Sequence, residues 1–87
     1  MSSEKKRITG RQIAAARDLL NVSQGEFAVA VGMLRPALAR IEAGRVKPRI
    51  ATMAKIVTEL ERRGIEFING TGVKLKTPPT EQETATD

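Results

Sequence analysis

Apolar residues recur at helical spacing in four successive stretches, and then the period drops to two. Ile13, Ala16, Leu19 and Leu20 form the first apolar face. They predict a helix from about Gly10 to Leu20 with Thr9 as its N-cap; Arg17 lies at the edge of the face, and Asn21 suits a left-handed end. Ser23 starts the second helix, with Glu26 at the spacing of a capping box. Gln24 is then its first residue and projects from the helix N-terminus. Phe27, Ala28 and Val31 face inward, Gly32 ends the helix, and the short Ala28 and Ala30 let a neighbour approach. The third helix starts around Leu34 or Arg35. Pro36 fits its first turn, where the missing N–H has no intrahelical partner. Leu38 and Ile41 face the core, Arg35, Ala39, Arg40 and Ala43 face outward, and Gly44 is the stop. After a basic loop, RVKPR at 45–49, the fourth helix runs from near Pro48 or Arg49 to about Arg63. Ile50, Met53, Ala54, Val57 and Leu60 are its expected buried stripe, with Ile56 at the margin and Glu59–Arg63 a favourable pair.

Beyond Gly64 the segments IEFIN and VKLK flank Gly70-Thr71-Gly72, which predicts a hairpin. With Asn69 opposite Val73, the loop has three residues and Gly72 takes the left-handed bulge position. Phe67 then opposes Leu75 on one face, and Ile68 opposes Lys74 on the other. A two-residue Asn-Gly loop would instead set Ile65 against Lys74. A lone two-stranded hairpin is barely stable in water, so its apolar face must rest on the fourth helix, on another copy, or on both. Ile65, Phe67, Ile68, Val73 and Leu75 are therefore the candidates for dimerisation. Residues 1–8 read as a flexible basic arm, with Lys5, Lys6 and Arg7 able to touch phosphate or the minor groove. Residues 77–87, TPPTEQETATD, carry no large apolar side chain and read as a disordered acidic tail. The expected fold class is mainly α: a four-helix domain over 9–64 with a C-terminal β-hairpin over 65–76.

Composition narrows the chemistry. The chain has 87 residues, enough for one small domain, and two Phe with no Trp or Tyr make its core aliphatic. Without Cys there are no disulfides or thiolate metal sites, and without His the usual general base and metal ligand are both missing. No nucleophile–base pair or metal cluster can be assembled, which argues against an enzyme, and no cofactor is expected. No apolar run approaches a membrane span and nothing resembles a signal peptide, so a cytoplasmic protein is expected. The net charge is +5, but all 15 Lys and Arg lie in residues 1–76 with seven acids, which puts +8 on that part. A basic domain suggests an anionic partner; plain solubility is the alternative that charge alone leaves open.

The pattern Ser23-Gln24-x-x-Phe27-Ala28-x-x-x-Gly32, then Leu38-Ala39-Arg40-Ile41-Glu42-x-Gly44, and later Pro48-x-x-x-Thr52-Met53-x-Lys55-Ile56, resembles the phage-repressor and Cro type of helix-turn-helix, also called the XRE family. The resemblance covers about residues 9–60 and implies a lambda-repressor-like domain. It implies that Gln24 hydrogen-bonds a DNA phosphate and braces the recognition helix. It places Arg35 and Pro36 at the first exposed positions of that helix, with Arg40 one turn on. It pairs Arg17 with Glu42, and lays Arg45, Lys47 and Arg49 along the sugar-phosphate backbone. The residues support the same roles physically. Arg35 and Arg40 are about 140° apart in projection, so they can straddle a groove. An arginine fork matches guanine O6 and N7. Ala37 and Ala39 leave room for close approach or touch a thymine methyl.

Three departures stand out. Leu34 sits where the family commonly has a capping Ser or Thr. Pro36 offers only apolar contact and rigidity. The hairpin replaces a fifth helix, so the family's helix-mediated dimer does not carry over. The resemblance implies a transcriptional regulator, by default a repressor, with activation and autoregulation as further roles. It would bind a palindromic operator as a homodimer, with half-sites about 34 Å apart. RNA polymerase is a further partner if it activates. The alternative is a protein-interaction module, antitoxin-like or antiactivator-like, docking through the hairpin and acidic tail.

Overall fold

Thr9 and Ser23 open the first two helices with the same local chemistry. In the computed structural model, which describes residues 8–68 and 72–76, each side chain accepts from the backbone N–H three residues on. Gln12 and Glu26 return the bond, completing two capping boxes. The helices are α1 Gly10–Leu19, α2 Gln24–Ala30, α3 Arg35–Glu42 and α4 Ile50–Arg62. Between them the chain turns through left-handed residues: Asn21 at φ 61°, Gly32 at 73° and Gly44 at 77°. The hairpin strands are β1 Ile65–Ile68 and β2 Gly72–Leu75. Residues 1–7 of the expected arm, residues 70 and 71 of the expected hairpin loop and the expected acidic tail at 77–87 lie outside the described residues.

The core joins five of the six elements, and Val73 of β2 packs against it. Ile13 and Ala16 of α1 meet Phe27 and Ala28 of α2, Leu38 and Ile41 of α3, Ile56 and Leu60 of α4, and Ile65 of β1. Ile8, read from the sequence as part of the arm, is half-buried against this core. Gly10 makes the tightest approach. A Cβ there would collide with the Ile41 carbonyl oxygen and lie 2.8 Å from that of Glu42, so α1 can cross the end of α3 only where α1 has no side chain.

Three sequence expectations are corrected. On α4 the buried residues are Ile56 and Leu60, four apart on one seam. Ile50, about 120° around from Ile56, is 90% exposed, and Ala54 is exposed too. On α1, Leu19 is 46% exposed; Gln12, which the apolar pattern passes over, is buried in its place. The hairpin register is two residues from the expected one: Ile65↔Leu75, Glu66↔Lys74, Phe67↔Val73 and Ile68↔Gly72. Gly72 thus lies in a strand, and its use is close approach rather than a left-handed bulge. A Cβ on it would sit 3.3 Å from Ile68 Cβ. The observed register also sets Glu66 opposite Lys74, which joins opposite charges.

The hairpin is seated by Gln12. Its Nε2 donates to Ile68 O at 3.1 Å and to Gly72 O at 3.0 Å, while its Oε1 accepts from the Thr9 N–H at 2.9 Å. One buried amide therefore fastens the paired strand ends to the start of α1. The hairpin packs on α1 as well as on α4 of its own chain.

Candidate nucleic-acid interface

The site begins with a turn. Gly32 adopts a conformation that side-chain-bearing residues avoid. This lets Met33 N donate back to Ala28 O at 2.9 Å and sends the chain into α3. α2 and α3 pack against each other in the helix–turn–helix arrangement. Leu38 and Ile41 are buried, and the opposite side of α3 presents Arg35, Pro36 and Arg40 to solvent, with Ala37 and Ala39 half-buried between them. The Arg35 stem runs past Gly25 of α2: its Cδ lies 3.9 Å from where a Gly25 Cβ would be.

A buried carboxylate holds α3 in place. Glu42 has a side chain only 6% exposed. It accepts from Arg17 Nε at 2.9 Å and Nη2 at 3.0 Å, and from Gln24 Nε2 at 2.9 Å. Arg17 Nη1 reaches Val22 O at 3.0 Å, so one guanidinium ties the end of α3 to the chain entering α2. The bonds to Glu42 raise the Arg17 pKa above its ordinary value against the opposing effect of burial. All these polar groups are satisfied, as a buried ion pair requires. Gln24 is half-buried and gives one amide hydrogen to Glu42. The resemblance implied that Gln24 braces this helix, but spacing alone gave no sign of the bond to Glu42, which spans 18 residues.

Past Gly44 the loop leaves Arg45, Lys47 and Arg49 exposed. Arg49 is the N-cap of α4 and makes no capping bond through its side chain. Among the described residues none of Arg35, Arg40, Arg45, Lys47 and Arg49 is paired with a carboxylate, whereas Arg17, Arg62 and Arg63 all are. The structure thus separates cations held by carboxylates from cations left facing water. It also divides the five hairpin residues named for dimerisation. Ile65 is 1% exposed and belongs to the core, which removes it from any surface. Phe67 and Val73 are half-buried against the core, and only Ile68 and Leu75, at 46% and 43%, remain well exposed.

No helix among the described residues is long and apolar enough to cross a membrane. None of the curated proteins compared with the chain matches it. The sequence model of the helix-turn-helix family matches residues 13–67, from the first core residue of α1 into β1. With that match extending over most of its length, and with α2, the Gly32 turn and α3 arranged as described, the chain belongs to the XRE-type helix-turn-helix family of DNA-binding regulators.

Proposed function

We propose that the protein is a sequence-specific transcriptional regulator, acting by default as a repressor, that binds a palindromic operator as a homodimer. The observation that carries this is the set of exposed cations that pair with no carboxylate among the described residues: Arg35 and Arg40 on α3, whose inner side is pinned by Glu42, and Arg45, Lys47 and Arg49 in the loop that follows it. In this role α3 enters the major groove. Arg35 and Arg40 reach base edges, Pro36, Ala37 and Ala39 make apolar contacts, and Arg45, Lys47 and Arg49 meet phosphates. Gln24 contacts a phosphate with the amide hydrogen that Glu42 does not take. Repression follows from occupying the promoter, in the cytoplasm, with no cofactor. Two copies place their α3 helices about 34 Å apart, and the outer parts of the hairpins, with Ile68 and Leu75, are the proposed contact between them.

Equilibrium binding to specific and random duplexes tests the assignment. Arg35→Ala is expected to weaken specific binding by about 1–3 kcal/mol and relax one operator position, while Lys47→Ala weakens all duplexes alike and flattens the salt dependence. Equal losses on specific and random DNA for Arg35→Ala would remove its base-reading role. A second reading, a protein-interaction module, draws on one observation. Val29 and Ala51 line an open groove between α2 and α4, and Val29 and Ile50 are 80% and 90% exposed. Stoichiometric co-purification with one protein, without salt-sensitive retention on DNA, would favour that reading.

A further inference from the structure

Leu34 occupies a position where helices ordinarily place a capping side chain. It is the N-cap of α3, with extended backbone at φ −80° and ψ 144°, and its side chain makes no capping hydrogen bond. The two preceding helices both have complete capping boxes. Leu34 has no task inside the fold either. Met33 before it is half-buried against the core, and Leu38, in the second turn of α3, is fully buried. These are the two positions of a hydrophobic staple, and both are filled without Leu34. Leu34 itself is 76% exposed. The chain forgoes a stabilising cap and holds a large apolar side chain in water, directly beside the exposed Arg35 and Pro36.

We propose that Leu34 is a specificity-determining residue that packs on the 5-methyl group of a thymine beside the base reached by Arg35, a role that rests on α3 being the helix in the major groove. The N-terminal residues of such a helix are the ones that meet base edges. The thymine methyl is the apolar feature displayed on the floor of that groove. Leu34 has neither donor nor acceptor on its side chain, so it separates thymine from cytosine by the methyl group alone. Pro36, with its fixed φ, keeps the first turn behind Leu34 rigid. Leu34 therefore adds an apolar element to a recognition surface whose hydrogen-bonding readers are the two arginines.

The probes are duplexes enriched by the full chain from a random-sequence pool, with each thymine replaced in turn by deoxyuracil, which lacks only the methyl group. Binding is followed by fluorescence anisotropy for the wild type and for Leu34→Ser. One replacement per half-site is expected to weaken the wild type about fourfold, the worth of one buried methyl group, and to leave Leu34→Ser unaffected. Leu34→Ser also supplies the missing cap, so its thermal midpoint is expected to rise while its affinity for the enriched duplex falls; a merely structural role moves both in the same direction. Enrichment of a sequence with no uracil-sensitive position in the wild type overturns the role of Leu34 alone. Failure to enrich any sequence overturns both this role and the function proposed above.

Discussion

Two glutamines sit at the starts of successive helices, and each fixes a different region. Gln12 is 1% exposed, and its amide bonds Ile68, Gly72 and Thr9, all within the fold. Gln24 is half-buried, and its amide gives one hydrogen bond, to Glu42, beside the exposed face of α3. The seat of the hairpin is thus closed, with every polar group answered from inside. The region around Glu42 is closed on its inner side and open on its outer side. Polar side chains that look alike along the chain divide into those enclosed between strands and helices and those left partly open to solvent. Burial and the remaining unmet hydrogen-bonding capacity tell them apart.

The change that strikes both regions is at Gly10, where α1 crosses the end of α3. Gly10→Ala places a Cβ against the Ile41 and Glu42 carbonyls. Alanine would ordinarily favour a helix over glycine, but here a loss of about 3–5 kcal/mol in urea unfolding is expected from the backbone collision. A stable Gly10→Ala protein would mean that the two helices can separate without penalty.

The next substitutions separate the regions. Gln12→Leu leaves two strand carbonyls and the Thr9 N–H without their partner and is expected to cost about 2–4 kcal/mol of stability. Binding per folded molecule stays unchanged. Gln24→Ala leaves Glu42 with both Arg17 bonds, so stability falls by about 1 kcal/mol or less while DNA binding weakens on every sequence. Denaturation midpoints and dissociation constants measured on the same samples check the pair. If Gln24→Ala lost stability and kept affinity, Gln24 would be structural like Gln12.

The smallest effect lies away from both regions. Arg62 and Arg63 hydrogen-bond Glu59 at the end of α4 and pull its pKa from 4.5 down to about 2. A folded-state pKa below the unfolded one gives stability that is present above about pH 4.5 and is lost as pH falls toward 2. Glu59→Gln is expected to flatten the acid limb of the unfolding curve across that window and to leave DNA affinity alone. An unchanged limb would assign the acid sensitivity to other carboxylates.

The helix ends were legible because their chemistry is local. Thr9, Ser23, Asn21, Gly32 and Gly44 act within a few residues of themselves, and all take the caps or left-handed turns that their types suggest. The outward position of Arg35, Arg40 and Ala43 was legible from helical spacing once Leu38 and Ile41 were placed inside, that of Pro36 came from the resemblance, and Ala39, also placed outward, is half-buried. What escaped depends on partners far along the chain. Gln12 looks like an ordinary capping-box residue until Ile68, 56 residues away, arrives over it. The hairpin register slipped by two because an even shift keeps the same side chains on the same face, so alternation alone does not distinguish the two pairings. Ile50 and Ile56 lie on different sides of one helix, and choosing between them needs the neighbours that α4 meets.

The burial of Ile65 also changes how the hairpin can be probed. Removing residues 65–87 would take a core side chain and both Gln12 acceptors with it, so a dimerisation defect in that truncation would not be separable from unfolding. Charged replacements at Ile68 and Leu75 leave the seat intact.

The bonds from Gln12 to Ile68 and Gly72 link the first helix to strands 56 and 60 residues later. Synthesis runs from the N-terminus, so α1 to α4 are complete before the strands that close over α1 have been made. Until then Gln12 has no carbonyls to bond and Ile65 is missing from the core. A ribosome-bound chain that stops short of residue 76 therefore carries α3 on a core that still lacks the pieces its strands supply.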